Sequence, residues 1–233
     1  MLRRFVIGGA AAVALVVAVI AIIALRPPEQ ASAPIQAIPL APTVAATEAP
    51  AAATSMLFEI VPAESEARFL IDEVLRGAPV TVAGTTDQVA GQIAVDPSNP
   101  ASTRLGVIQI NARTLATDNE FRNRAIKNVI LRTNEFEFVT FTPTAITGMP
   151  ENVSVGQPIT FQITGELTVT DVTRPVTFDV TVTPVSESEL EGLASTTILY
   201  RDFGLTIPDS PAVDTVADQV RLELAFVARP VSS

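Results

Sequence analysis

The 233-residue chain has no cysteine, no histidine and no tryptophan, one tyrosine and, in Lys127, one lysine. Without histidine or cysteine there is no zinc site of the nitrogen and sulfur kind, no Ser-His-Asp or Cys-His nucleophile, no redox dithiol and no disulfide framework. A metal would have to be a hard cation held by oxygen. Glycine-rich phosphate loops, the G-x-S-x-G elbow, the S-x-x-K pair and EF-hand spacing are also missing, so the sequence predicts no catalytic set, no metal and no cofactor. Positive charge is scarce and uneven. The net charge is -10; residues 1–56 carry Arg3, Arg4 and Arg26 against Glu29 and Glu48, leaving 12 basic and 23 acidic groups for the remainder. So acidic a domain repels a phosphate backbone, which excludes nucleic acid as the expected partner.

The chain does have one long apolar run. Residues 5–25, FVIGGAAAVALVVAVIAIIAL, are 21 consecutive uncharged residues. At about 1.5 Å per residue such a helix crosses a hydrocarbon core of roughly 30 Å. A cleaved signal has an apolar core of only about 7 to 15 residues, and the nearest small-residue site, Ala31-Ser32-Ala33, runs straight into Pro34. Arg3 and Arg4 precede the run and Arg26 follows it, which predicts a cytoplasmic N-terminus and an extracytoplasmic remainder. The absence of cysteine excludes a lipoprotein anchor. Residues 1–26 are therefore expected to be a single-pass membrane anchor. Residues 27–56 hold Pro27, Pro28, Pro34, Pro39, Pro42 and Pro50 among alanine and threonine, a composition with missing donors and little to pack, and are expected to be a flexible linker.

Residues 57–230 read as one β-rich domain. Ile159, Phe161, Ile163, Leu167 and Val169 alternate with Thr160, Gln162, Thr164, Glu166 and Thr168, the period of a strand with one buried face. Gly165 interrupts the series and marks a bend or bulge. Val176 to Val182 and Val220 to Phe226 repeat the pattern, and 66–74, 80–84, 89–95, 104–113, 136–146 and 193–200 are further strand candidates. In 118–131 the period changes. Thr117 and Glu120 have capping-box spacing, and Phe121, Ala125, Ile126, Val129 and Ile130 recur at helical intervals, predicting one amphipathic helix on the sheet. Eight or more strands and one helix close most economically as a barrel, because closure removes exposed edges. A sandwich stays open.

Three stretches resemble the YceI-like family of exported bacterial lipid-binding barrels: NARTLATDNEFRNRAIKNVILRTNEFEFVTFTPTAITG (111–148), GELTVTDVTRPVTFDVTV (165–182) and YRDFGLTIPDSPAVDTVADQVRLELAFVA (200–228). The sequence departs from that pattern at Asn123 after Arg122, at Asp171 before V-T and at Tyr200 two before the D-F-G aspartate. The resemblance implies an all-β, antiparallel, eight-stranded lipocalin-like barrel with one amphipathic helix, here preceded by the transmembrane helix and linker. It also implies a tunnel for a polyisoprenoid or similar long-chain lipid, bound without catalysis. Phe69, Ile71, Ile93, Val95, Phe161, Ile163, Leu167, Phe178, Val180, Leu222, Leu224 and Phe226 are the candidate tunnel residues; as ordinary core they would fill the barrel instead. Asp202 and Asp218 are candidates for the polar rim, either satisfying buried donors or gripping a head group. Thr117 is expected to cap the helix and Pro175 to start a strand. A surface interaction module with a filled barrel, and pairing of two chains as a homodimer, stay open.

Overall fold

A computed structural model of the chain describes residues 26–40, 55–211 and 213–231. The predicted anchor, 5–25, lies outside them; among the described residues no helix is long and apolar enough to cross a membrane.

Period-2 alternation becomes a single curled antiparallel sheet. Its strands are β1 (Met56–Ile60), β2 (Glu66–Leu75), β3 (Ala78–Thr86), β4 (Val89–Ala90), β5 (Gln92–Val95), β6 (Arg104–Leu105), β7 (Ile108–Asn111), β8 (Phe138–Thr147), β9 (Ile159–Val169), β10 (Val172–Ser186), β11 (Glu189–Leu199) and β12 (Val213–Pro230). Strands β8 to β12 form a meander, each paired with the next. The far edge of β12 is shared: β2 pairs along Val213 to Ala225 and β1 along Ala228 to Pro230. From there β2 pairs β3, β1 pairs β5 and β5 pairs β6, while β4 pairs β7 and β7 pairs β8. Only Gly91 separates β4 from β5, so the sheet curls until its two ends belong to the same course of chain. This architecture is consistent with a lipocalin-like barrel and has one sheet rather than the two of a sandwich.

The expected eight strands are twelve because long courses are interrupted. Between β1 and β2 the chain makes a 3₁₀ turn at Pro62–Glu64, where proline has no donor for the ladder. Gly91 divides 89–95, and Gly106-Val107 divide 104–111. Arg76 and Gly77, with φ of 51° and 80°, make the two-residue turn joining β2 to β3, the left-handed conformation that suits a tight hairpin. Pro175 sits inside β10 rather than starting it. There β10 pairs only with β9, because β11 joins from Asp179 onward, and a missing donor on an edge costs little.

The helical segment is shorter and differently capped than expected. Helix α1 spans Glu120–Ala125 and continues as a π-helical turn, Ile126–Ile130. Asn119 is the cap: its Oδ1 accepts from the amides of Phe121 (2.9 Å) and Arg122 (3.1 Å). Thr117 instead donates its amide and hydroxyl to Oδ1 of buried Asn123, at 2.7 and 2.8 Å. Phe121, expected on the packed face, is 76% exposed; Ile126 is buried as expected, and Asn123 is buried beside it.

Residues 26–40 correct the expectation that the linker packs on nothing. The Arg26 carbonyl accepts from Asn128 in the π-helical turn. Glu29 pairs with Arg113 at 2.9 Å, and the Gln30 carbonyl accepts from the same guanidinium. Ser32 donates its amide and hydroxyl to Glu137 at 2.8 and 2.6 Å. The Leu40 amide donates to Gln92 Oε1, and its side chain lies over Gly106. The segment thus runs from the helix, along the outside of the β5 to β7 region, toward the opposite end of the sheet.

Candidate functional site

Inside the curl lies a cavity of about 560 Å³. Its walls come from the apolar phase of each strand: on β2 Phe69 and Ile71, on β5 Ile93 and Val95, on β9 Phe161, Ile163 and Leu167, on β10 Phe178 and Val180, and on β12 Leu222, Leu224 and Phe226. All twelve positions singled out in the sequence line this one space. The sequence reading placed strands at 104–113 and 136–146 but named no lining residue there; Ile108 and Ile110 of β7 and Val139 and Phe141 of β8 also face in, on strands that are short or bulged.

Three wall rings are held flat by glycine. Phe69 is in register with Gly84 and Phe226 with Gly192, and Phe141 lies against Gly165. A Cβ built on these glycines would fall 2.1, 2.4 and 2.6 Å from the nearest ring carbon, too close for any side chain. The absent side chains let the rings lie on the sheet instead of crossing the lumen. Gly165 also faces the expected irregularity, a register shift between Pro143 and Ala145 of β8.

The two ends differ. At the helix end, Ile126, Ile130 and Leu131 meet Leu115 and, from the segment after β11, Tyr200, Leu205 and Ile207. Gly204 adopts a left-handed φ of 67°, as the D-F-G turn requires. At the opposite end the lining comes from loops, with Pro97 and Pro100 from one and Met149, Val153 and Val155 from another. Val155 is 57% exposed, so this end presents apolar surface to solvent.

Two charged pairs reach the wall, Arg68 with Glu223 at 2.5 Å and the more buried Glu73 with Arg122. Glu73 keeps the inward phase of Phe69 and Ile71, and its side chain is 7% exposed. Arg122 Nη2 donates to its Oε1 at 2.9 Å, while Nη1 donates to Asp118 at 2.6 Å. Pairing offsets the cost of burying the carboxylate. The signal for Glu73 was legible: an acid in the apolar phase of a strand.

Asp202 and Asp218 do not join the cavity lining. Asp218 is 58% exposed and pairs with Arg201 at 2.8 Å, which holds that guanidinium above its ordinary range. Asp202 is exposed, and only its backbone carbonyl is used, by Arg174. Neither satisfies a buried donor through its carboxylate. Asp96, at the loop end, is held below the usual carboxylate range by hydrogen bonds from Ser98. Among the described residues no three acidic groups converge as a metal site. Glu137, where Ser32 docks, is pushed up by its partial burial; the Ser32 and Asn111 hydrogen bonds and the Arg113 charge outweigh that and hold it below the usual range.

The YceI-like domain family matches residues 58–228. Among solved structures, BcnA of Burkholderia cenocepacia is 19% identical with a TM-score of 0.57, covering 72% of this chain and 98% of its own. A polyisoprenoid-binding domain from Saccharophagus degradans implicated in plant cell wall breakdown is 13% identical with a TM-score of 0.59, covering 76% and 99%. The YceI protein of Campylobacter jejuni is 18% identical with a TM-score of 0.53, covering 64% and 85%. At these identities the likeness is one of fold. No curated protein matches the chain.

Proposed function

From the premise that this chain belongs to the YceI-like domain family, we propose that it is a membrane-tethered, extracytoplasmic carrier that encloses one polyisoprenoid or similar long-chain lipid and does not convert it. The observation that carries this reading is the cavity itself, about 560 Å³ of space with an apolar wall running from the helix end to the loop end. That volume falls within the range of about 300–1,000 Å³ typical of small-molecule sites. A filled-barrel interaction module would have no such space. Each buried methylene contributes about 0.8 kcal/mol, so about ten of them contribute about 8 kcal/mol against the ordering cost of association. A hydrocarbon chain needs no polar partner, and the wall offers few.

Carriage without catalysis follows the same chemistry. Two of the wall's acids are neutralised by arginine, Glu73 by Arg122 and Glu223 by Arg68. The apolar run 5–25 supports a membrane tether, and Arg3 and Arg4 before it support an extracytoplasmic domain.

The test is native mass spectrometry of the full chain released from a bacterial membrane in mild detergent, with lipid extraction of the same sample. A stoichiometric prenyl-lipid adduct is expected. A clean apo mass, unchanged after incubation with long-chain prenyl quinones and prenols, overturns the reading.

A further inference from the structure

We propose that residues 26–40 act as a strap that fixes the helix end of the sheet against the bilayer, with Phe121 and Arg124 of α1 touching the lipid surface. This rests on the reading that residues 5–25 sit in a membrane; the strap itself rests on contacts independent of that reading.

A proline-rich linker with no contacts would hold a domain off the membrane and leave its orientation free. Residues 26–40 instead are tied at successive points: Arg26 to Asn128, Glu29 and Gln30 to Arg113, Ser32 to Glu137 and Leu40 to Gln92. The first of these is decisive for orientation. Leu25 ends the apolar run, and the very next residue is held on the helical segment. Consecutive Cα atoms are about 3.8 Å apart, so the boundary of the run and the helix are neighbours.

The helix surface at that place has the chemistry of an interface. Phe121, Arg124 and Asn128 follow helical spacing of three and four and so share one side of the segment. Phe121 is 76% exposed, and the Arg124 guanidinium stands 6.0 Å from its ring centroid. An aromatic ring beside a basic group is the pairing found at lipid head groups, where the ring enters the acyl boundary and the cation meets phosphate. In a domain with nearly twice as many acids as bases, the opposite end contributes Asp96, Glu151 and Glu187 from its loops, which anionic lipid repels. Charge and chain geometry therefore select the same face. The apolar loop end, with Val155, then points away from the bilayer.

The chain has no tryptophan, so Phe121→Trp and, at the opposite end, Val185→Trp each create a unique fluorophore. Val185 is 42% exposed on the outer face of β10. The full chain bearing either change is reconstituted into vesicles of phosphatidylethanolamine and phosphatidylglycerol with brominated acyl chains. Emission from Phe121→Trp should be quenched several-fold more than from Val185→Trp. A Gly-Ser insert after Leu25, or Glu29→Gln with Ser32→Ala, should erase the difference without unfolding the domain. Flotation of the vesicles reads the anchor separately. Protein that floats with equal quenching of both probes overturns the strap and leaves the anchor standing. Protein that does not float overturns both.

Discussion

Phe226 lies flat over Gly192, its directly registered neighbour on β11, so closely that a Cβ on the glycine would sit 2.4 Å from the ring. The pair exchanges a side chain for space. A ring that cannot rest on the wall must turn into the lumen, so the size of the cavity depends on a glycine that the ring itself covers.

Gly192→Ala is therefore expected to lower stability by about 1–3 kcal/mol, the usual cost of overpacking, and to reduce bound lipid. Gly84→Ala, beneath Phe69, should act alike. The double change Gly192→Ala with Phe226→Leu should recover stability, because the clash goes with the ring. Urea midpoints and lipid stoichiometry measure both effects.

Filling the space should separate folding from binding. Ala194 of β11 lines the cavity between Val180 and Leu224, its cross-strand partners. Ala194→Phe is expected to leave the far-ultraviolet spectrum and melting transition near those of the parent while abolishing the prenyl adduct. Retention of the full adduct would mean that the lipid lies elsewhere.

Breaking the Glu73–Arg122 pair of the wall should cost more than removing it. Arg122→Ala leaves Glu73, 7% exposed, without its cation, and a loss of about 3 kcal/mol is expected. Glu73→Leu with Arg122→Met should come close to the parent, since matched apolar groups need no desolvation to be repaid. Chemical denaturation of the parent, Glu73→Leu, Arg122→Met and the double variant closes the cycle.

The strap should release in acid. Glu137 is depressed below 4.5 in the folded protein, so its contribution is fully present above that ordinary value and is lost as pH falls through the lower, folded one. Hydrogen-exchange protection of residues 26–40, relative to the unstructured rate at each pH, should fall across that window, while β9 and β10 stay protected. Glu137→Gln should show low protection in the strap at every pH. Protection in the parent that does not change with acidity would remove Glu137 from the docking.

Strand alternation was legible because it is local: Phe161, Ile163, Phe178 and Leu224 announce their face within a few residues, and all reach the cavity. The cap was not, because Thr117 and Asn119 both carry cap chemistry and the choice turns on Asn123, whose Oδ1 engages the threonine. Phe121 was misplaced for a similar reason. Asn123 is buried through its bonds to Thr117, and Phe121, two residues before it in α1, is left exposed. Docking of residues 26–40 was invisible to composition, since its partners Arg113, Asn128 and Glu137 lie far along the chain. Asp202 and Asp218 lie outside the cavity lining, Asp218 exposed and paired with Arg201.

The π-helical turn Ile126–Ile130 closes one end of a space whose sides are all ladder. Paired strands set the bore, and hydrogen bonds between neighbours make that dimension stiff. The depth is set by Ile126 and Ile130 on a single wide turn, joined to the sheet through side chains. As a gauge for elongated molecules, the protein thus has a strict calibre and a yielding stop: it tells chains apart sharply by their width and weakly by one repeating unit.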